Sequence, residues 1–124
     1  MQKSGGGRGG SRTNPNASPD SRKLPYDMPV ARLTVEISIH AAQSLKDRRQ
    51  VVRSIKDKLR HSFNVSIAEL DDATLWNRAT LGMVAISSSA AYLNGQMQQL
   101  DDALHRLANT LGAEILDSFV EILD

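Results

Sequence analysis

Five cations recur three and four residues apart in one stretch of the chain: Lys46, Arg49, Arg53, Lys56 and Arg60. At 3.6 residues per turn that spacing lines them along one side of a helix, where ammonium and guanidinium groups meet phosphate or carboxylate oxygens. Leu45, Val52, Ile55 and Leu59 form an apolar line beside them. One line is expected to fasten the helix to a core and the other to face water. Asp47 and Asp57 are read as pointing away from the basic line, so its five charges lack neutralising helical neighbours. The chemistry such a stripe suits is polyanion binding through phosphates, with little base readout.

Other residue types capable of chemistry form no constellation. His40, His61 and His105 show no metal-ligand spacing, and Ser87–Ser89 lack the glycine pattern of a nucleophile elbow and serve better as helix caps. Glu69, Asp71 and Asp72 are the one acidic cluster able to hold a hard cation, but carboxylates in such a turn are more often solvent-facing caps. No glycine-rich loop joins a strand to a helix, and cysteine is absent. No enzyme activity, metal or cofactor is therefore expected. Two further residues are candidate partner-binding positions. Trp76, the only tryptophan, is an anchor for an intramolecular lid or for a partner. Arg48 projects close to the apolar line, where it snorkels to the rim or pairs with a carboxylate such as Glu36.

The elements that must position these residues follow from hydrophobic period. Leu33, Val35, Ile37 and Ile39 alternate with polar residues as a half-buried strand. Ser44 followed by Asp47 resembles a capping box ahead of the basic helix. Phe63, Val65 and Ile67 alternate as a second strand, an acidic link runs from Leu70 to Ala79, and Leu81 to Ser87 is apolar on both sides like a central strand. Ser88 or Ser89 caps a second helix carrying Leu93, Met97, Leu100, Leu104, Leu107 and Leu111, and Gly112 stops it. Glu114 to Leu123 is a last strand whose alternation breaks near Asp117 and Ser118, as at a bulge.

Strand, helix, strand, strand, helix, strand is the order of a ferredoxin-like βαββαβ sandwich, an α+β fold with two helices on one face of a four-stranded antiparallel sheet in order 4-1-3-2. The other sheet face is left open, with Thr34, Glu36, Ser38, His40, Ser66 and Ala68 read onto it. The first two strands place no aromatic there, which argues against RNA binding by base stacking on that face.

Residues 1–29, rich in Gly, Ser, Asn, Pro and Arg, are expected to be a disordered leader, and residues 30–124 one folded domain. The net charge of +1 hides a split, with thirteen Lys/Arg against five Asp/Glu in residues 1–62 and two against nine in residues 63–124. Such a split suits a polyanion partner or attraction between the two halves of the chain. No apolar run is long enough to span a bilayer and no signal peptide is visible, so a cytoplasmic location without membrane contact is expected.

The run Ser44-Leu45-Lys46-Asp47-Arg48-Arg49, the later Phe63-Asn64-Val65-Ser66-Ile67-Ala68-Glu69, and Leu75-Trp76-Asn77-Arg78 before Leu81-Gly82 resemble the YlxP-like family, the domain of unknown function numbered 503. The resemblance covers residues 32–123 and implies a ferredoxin-like fold. It also implies a gene neighbourhood of transcription and translation factors, which points toward RNA or the ribosome, and it implies no catalytic residue. The expectation is a non-catalytic module associated with RNA or a ribosomal subunit through its basic helix. The alternative is a self-associating interaction module, a homodimer for instance, whose basic helix meets Glu69, Asp71, Asp72, Asp101 and Asp102 of another copy or of a protein partner.

Overall fold

A computed structural model describes residues 28–123. The leader expectation, but for Met28 and Pro29, lies outside them. Six elements follow in chain order: β1 (Val30–Ser38), α1 (Leu45–Ser62), β2 (Ser66–Glu69), β3 (Arg78–Ile86), α2 (Ala90–Thr110) and β4 (Glu114–Leu123). The four strands form one antiparallel sheet in the order β2-β3-β1-β4, the ferredoxin-like arrangement. Both helices lie on one face, α1 against β2 and α2 against β1 and β4.

The core sits between sheet and helices. Leu33, Val35, Ile37 and Ile39 point inward from β1 and its end, meeting Val52, Ile55 and Leu59 of α1 and Leu93, Met97, Leu100 and Leu104 of α2. Burying such side chains contributes about 1.5–3 kcal/mol each, which is why period-two and period-3.6 patterns decide these elements. Local chemistry sets their ends. The Ser44 hydroxyl accepts the Asp47 N–H at 3.1 Å, while the Asp47 carboxylate accepts from the Gln43 N–H at 3.0 Å, a capping box displaced by one residue. Ser89 caps α2 by accepting the Tyr92 N–H, and Gly112 leaves the helix at φ +74°.

Two expectations are corrected. Leu45 is 46% exposed, and Arg48 takes its place on the inward line of α1 with Val52, Ile55 and Leu59. Phe63 belongs to the helix end, its N–H donating to the Leu59 carbonyl, so β2 starts only at Ser66. The bulge expected near Asp117 and Ser118 is present: in β4 the pairing with β1 jumps from Asp117 to Ile115, leaving Leu116 as the extra residue.

Candidate nucleic-acid interface

Arg48 organises the end of the molecule that carries Lys46 and Arg49. Its side chain is only 4% exposed, and three sets of acceptors surround the guanidinium. Nε donates to the Arg78 carbonyl at 2.9 Å, Nη1 to Glu69 Oε1 at 3.0 Å, and Nη2 to both Asp71 oxygens at 3.1 Å. A planar fork with five donors suits this arrangement, and a single ammonium does not. The acceptors flank residues 72–77, so one buried cation ties down both ends of the link between β2 and β3. Arg48 is therefore an internal clamp and is not presented to a partner. Its carboxylates come from Glu69 and Asp71, whereas Glu36 accepts from the Thr80 hydroxyl at 2.8 Å and lies 3.9 Å from Arg78.

Within the clamped link, Asp72 accepts from the hydroxyl and the backbone N–H of Thr74, and Ala73 takes φ +59°. Non-glycine residues enter that left-handed region at a cost and hold it where the surroundings over-determine them. The Ile39 N–H donates to the Asn77 carbonyl, a further tie to the end of β1. The link nevertheless shows its apolar side chains to water: Trp76 is 51% exposed, beside exposed Leu75. Trp76 thus does not close over the core as a lid.

The five basic residues divide into two groups. Lys46, Arg49 and Arg53 are exposed and have no ion pair among the described residues. Lys56 and Arg60 lean toward β2. The Lys56 ammonium is 3.5 Å from Glu69 Oε2, and Arg60 donates to the Ile67 carbonyl at 3.1 Å. Arg60 also lies 4.0 Å from Asp57, which corrects the expectation that Asp57 stands clear of the stripe. The acidic residues named for self-association are split too. Glu69 and Asp71 are held by Arg48, whereas Asp101 and Asp102 belong to α2, the helix over β4.

Burial works to raise the Glu69 carboxyl, but the hydrogen bond and charge of Arg48, joined by Lys56, outweigh it and hold the group below its ordinary value. A carboxyl with a depressed folded-state value stabilises the fold above its unfolded value, about 4.3, and that stabilisation disappears as pH falls through the folded value. Urea midpoints of the wild type and Glu69→Gln are therefore expected to differ most at pH 6–7 and to converge as pH falls from 5 to 3. A gap independent of pH would contradict the assignment.

A family model described as a protein of unknown function, DUF503, matches residues 30–119. The uncharacterized protein YlxP of Bacillus subtilis (strain 168) is 35% identical over 65 residues, spanning 52% of this chain and 71% of YlxP. The chain belongs to the DUF503 family. Two solved structures resemble this DUF503 domain in shape. The de novo designed protein Foldit4 has a TM-score of 0.48 at 8% identity, covering 79% of this chain and 98% of the design. YxeP, a dinuclear metal-binding peptidase of the M20 family from Bacillus subtilis, has a TM-score of 0.49 at 11% identity over 80% of this chain and 26% of its own. Likenesses this weak say nothing of activity.

The partners of Arg48 in this DUF503 domain were not readable from spacing, because Glu69 and Asp71 lie 21 and 23 residues further on and reach it only through the sheet. A cation at an inward helical position was the one available signal that a carboxylate must meet it. Among the described residues no helix is long and apolar enough to cross a membrane.

Proposed function

We propose that this DUF503 domain is a non-catalytic RNA-binding module, working on free RNA or on a ribosomal subunit. Lys46, Arg49 and Arg53 supply the phosphate contacts, and Lys56 and Arg60 extend the charged track toward β2. The observation that carries the reading is that Lys46, Arg49 and Arg53 of the stripe are exposed and without ion pairs among the described residues, as is neighbouring Lys58, on a helix whose opposite side is locked into the core. The clamped link adds an aromatic surface. A half-exposed Trp76 on a pre-ordered loop offers a platform for an unpaired base, a contact worth about 1–3 kcal/mol. Pre-ordering of that loop by Arg48 reduces the entropy lost on binding.

The test is a titration of the full chain with fluorescein-labelled single-stranded RNA at several salt concentrations. Three phosphate contacts give a slope of log affinity against log salt of about −2, and five give about −3.5. Arg49→Glu with Arg53→Glu is expected to abolish retention while leaving the circular dichroism spectrum unchanged. That pair is cleaner than a reversal at Lys56, which would set a carboxylate against Glu69. Because Trp76 is the only tryptophan, its emission reports the contact directly. Undiminished RNA or subunit binding by the double variant would remove α1 from the interface, and unchanged Trp76 emission at saturation would remove the stacking platform.

A further inference from the structure

The sheet face turned away from the helices is the least explained surface of the molecule, and its side chains can be placed row by row. Residues directly opposite in neighbouring strands share a face. In order β2-β3-β1-β4, the middle row of the open face is therefore Ala68, Gly82, Thr34 and Phe119. The row to one side is Ser66, Val84, Arg32 and Glu121, and beyond it lie Ile86, Val30 and Leu123. The row to the other side holds Thr80, Glu36 and Asp117, with Leu70 beside Thr80, and the last holds Arg78, Ser38 and Glu114. Far from being purely polar, the face exposes Val84, Ile86, Leu123 and, at 59%, Phe119.

The middle row is a hollow at one end and a knob at the other. Ala68 and Thr34 floor a depression of about 450 Å³ also lined by Val84 and Arg32, and at its edge the Leu70 side chain reaches over Gly82, where an added Cβ would lie 2.9 Å from Leu70 Cδ1. Phe119 stands at the opposite end of the same row, on β4. We infer that the open sheet face is the interface of a two-fold dimer in which Phe119 of each copy enters the hollow over Gly82 and Ala68 of the other.

A two-fold axis parallel to the strands, midway between β3 and β1, lays β4 of one copy over β2 of the other and β1 over β3, row for row. Phe119 then meets Ala68 and Gly82. In the three middle rows the charges on β1 and β4 meet uncharged positions: Arg32 faces Val84, Glu121 faces Ser66, Glu36 faces Thr80 and Asp117 faces Leu70, while Glu114 lies past the end of β2. Ile86 faces Val30, closing the apolar end. An axis across the strands instead stacks Glu121 on Asp117 and Ile86 on Arg78. The first arrangement meets the self-complementarity that an isologous contact requires, and the twist of each sheet adds the roughly 30° rotation of aligned sheet packing.

Size and charge also favour a second copy. With strands about 4.8 Å and rows about 6.8 Å apart, and with β2 absent from the two outer rows, the face covers roughly 590 Å² per copy, or about 1,200 Å² in all, at the lower end of the range of specific interfaces. The cations of the face are already paired, Arg32 with Glu121 at 2.7 Å and Arg78 with Glu36 at 3.9 Å, so the face has no surplus positive charge for a polyanion. Docking through it leaves both copies of α1 facing outward.

Sedimentation equilibrium of the full chain is expected to show a dimer at tens of micromolar, weakened at least tenfold by Phe119→Asp with no change in secondary structure. The chain has no cysteine, which permits a direct geometric check with Ala68→Cys and Phe119→Cys combined. Within one chain these positions are three strand spacings apart, about 14 Å, too far for a disulfide. Facing positions of two packed sheets are about 10 Å apart, also beyond a disulfide, so a short thiol-to-thiol cross-linker should join the double variant into covalent dimers, and neither single variant should be joined. A wild type that stays monomeric at millimolar concentration overturns the inference. So does a dimer indifferent to Phe119→Asp but dissociated by salt and by Arg49→Glu with Arg53→Glu, which would mean a basic helix meeting acidic residues instead.

Discussion

Replacing Arg48 by Met is expected to lower the unfolding free energy by about 2–3 kcal/mol. Methionine keeps most of the stem packing between α1 and the sheet, so the loss is chiefly electrostatic. Two carboxylates and the Arg78 carbonyl are left facing each other without a donor. Removing one partner of a fully buried ion pair costs more, about 3–5 kcal/mol. The side chains of Glu69 and Asp71 retain 31% and 26% exposure, however, and recover some hydration. Arg48→Lys should fall between Met and the wild type, since one ammonium cannot serve acceptors on three residues. Adding Glu69→Gln and Asp71→Asn to Arg48→Met should restore part of the loss by removing the repelling charges. Urea denaturation measures all four proteins, and amide exchange of residues 70–77 should accelerate in Arg48→Met beyond the global change. A loss under about 0.5 kcal/mol with unchanged exchange, the range of an ordinary surface substitution, would mean that Arg48 does not clamp the link.

Gly112→Ala is expected to cost about 2 kcal/mol, from two separable sources. Gly112 sits at φ +74°, where any Cβ meets its own backbone. A Cβ there would also collide with the Cβ of Ala41, whose N–H donates to the Gly112 carbonyl at 3.0 Å. The turn after α2 and the turn after β1 are thus in direct backbone contact, and neither can withdraw without breaking that hydrogen bond. Combining Gly112→Ala with Ala41→Gly should recover the steric share, about half, and leave the conformational share. Full recovery in the double variant would show that the left-handed backbone is not strained by alanine, and no recovery would show that Ala41 is not the obstacle.

What could be read from residues alone follows how locally each feature is determined. Element order, sheet topology and the inward faces of β1 and α2 came from side-chain period, which acts within a few residues. Ser44 and Gly112 were legible because caps and stops are chemical properties of single residues. Arg48 shows where that ends. Hydrophobicity placed Leu45 on the inward line, yet a guanidinium with a carboxylate waiting on each side is the better occupant of that rim, and its partners become neighbours only once β2 and β3 pair. Phe119 was missed for a related reason. A bulge at Leu116 reverses the in-out assignment of what precedes it, so period two could not say which face of β4 carried the aromatic. The charged stripe was visible in full, but the anchoring of Lys56 and Arg60 to β2 depends on the helix lying against that strand.

The two margins of the sheet bear on how the protein behaves when crowded. Unpaired strands are templates on which further chains can add, growing fibrils. Here one margin is only four residues long, with Arg60 occupying a carbonyl of Ile67, and the other is kinked at Leu116 and carries Glu114, Asp117 and Glu121. Neither offers a long, flat, uncharged ladder, so runaway strand addition is discouraged at both ends.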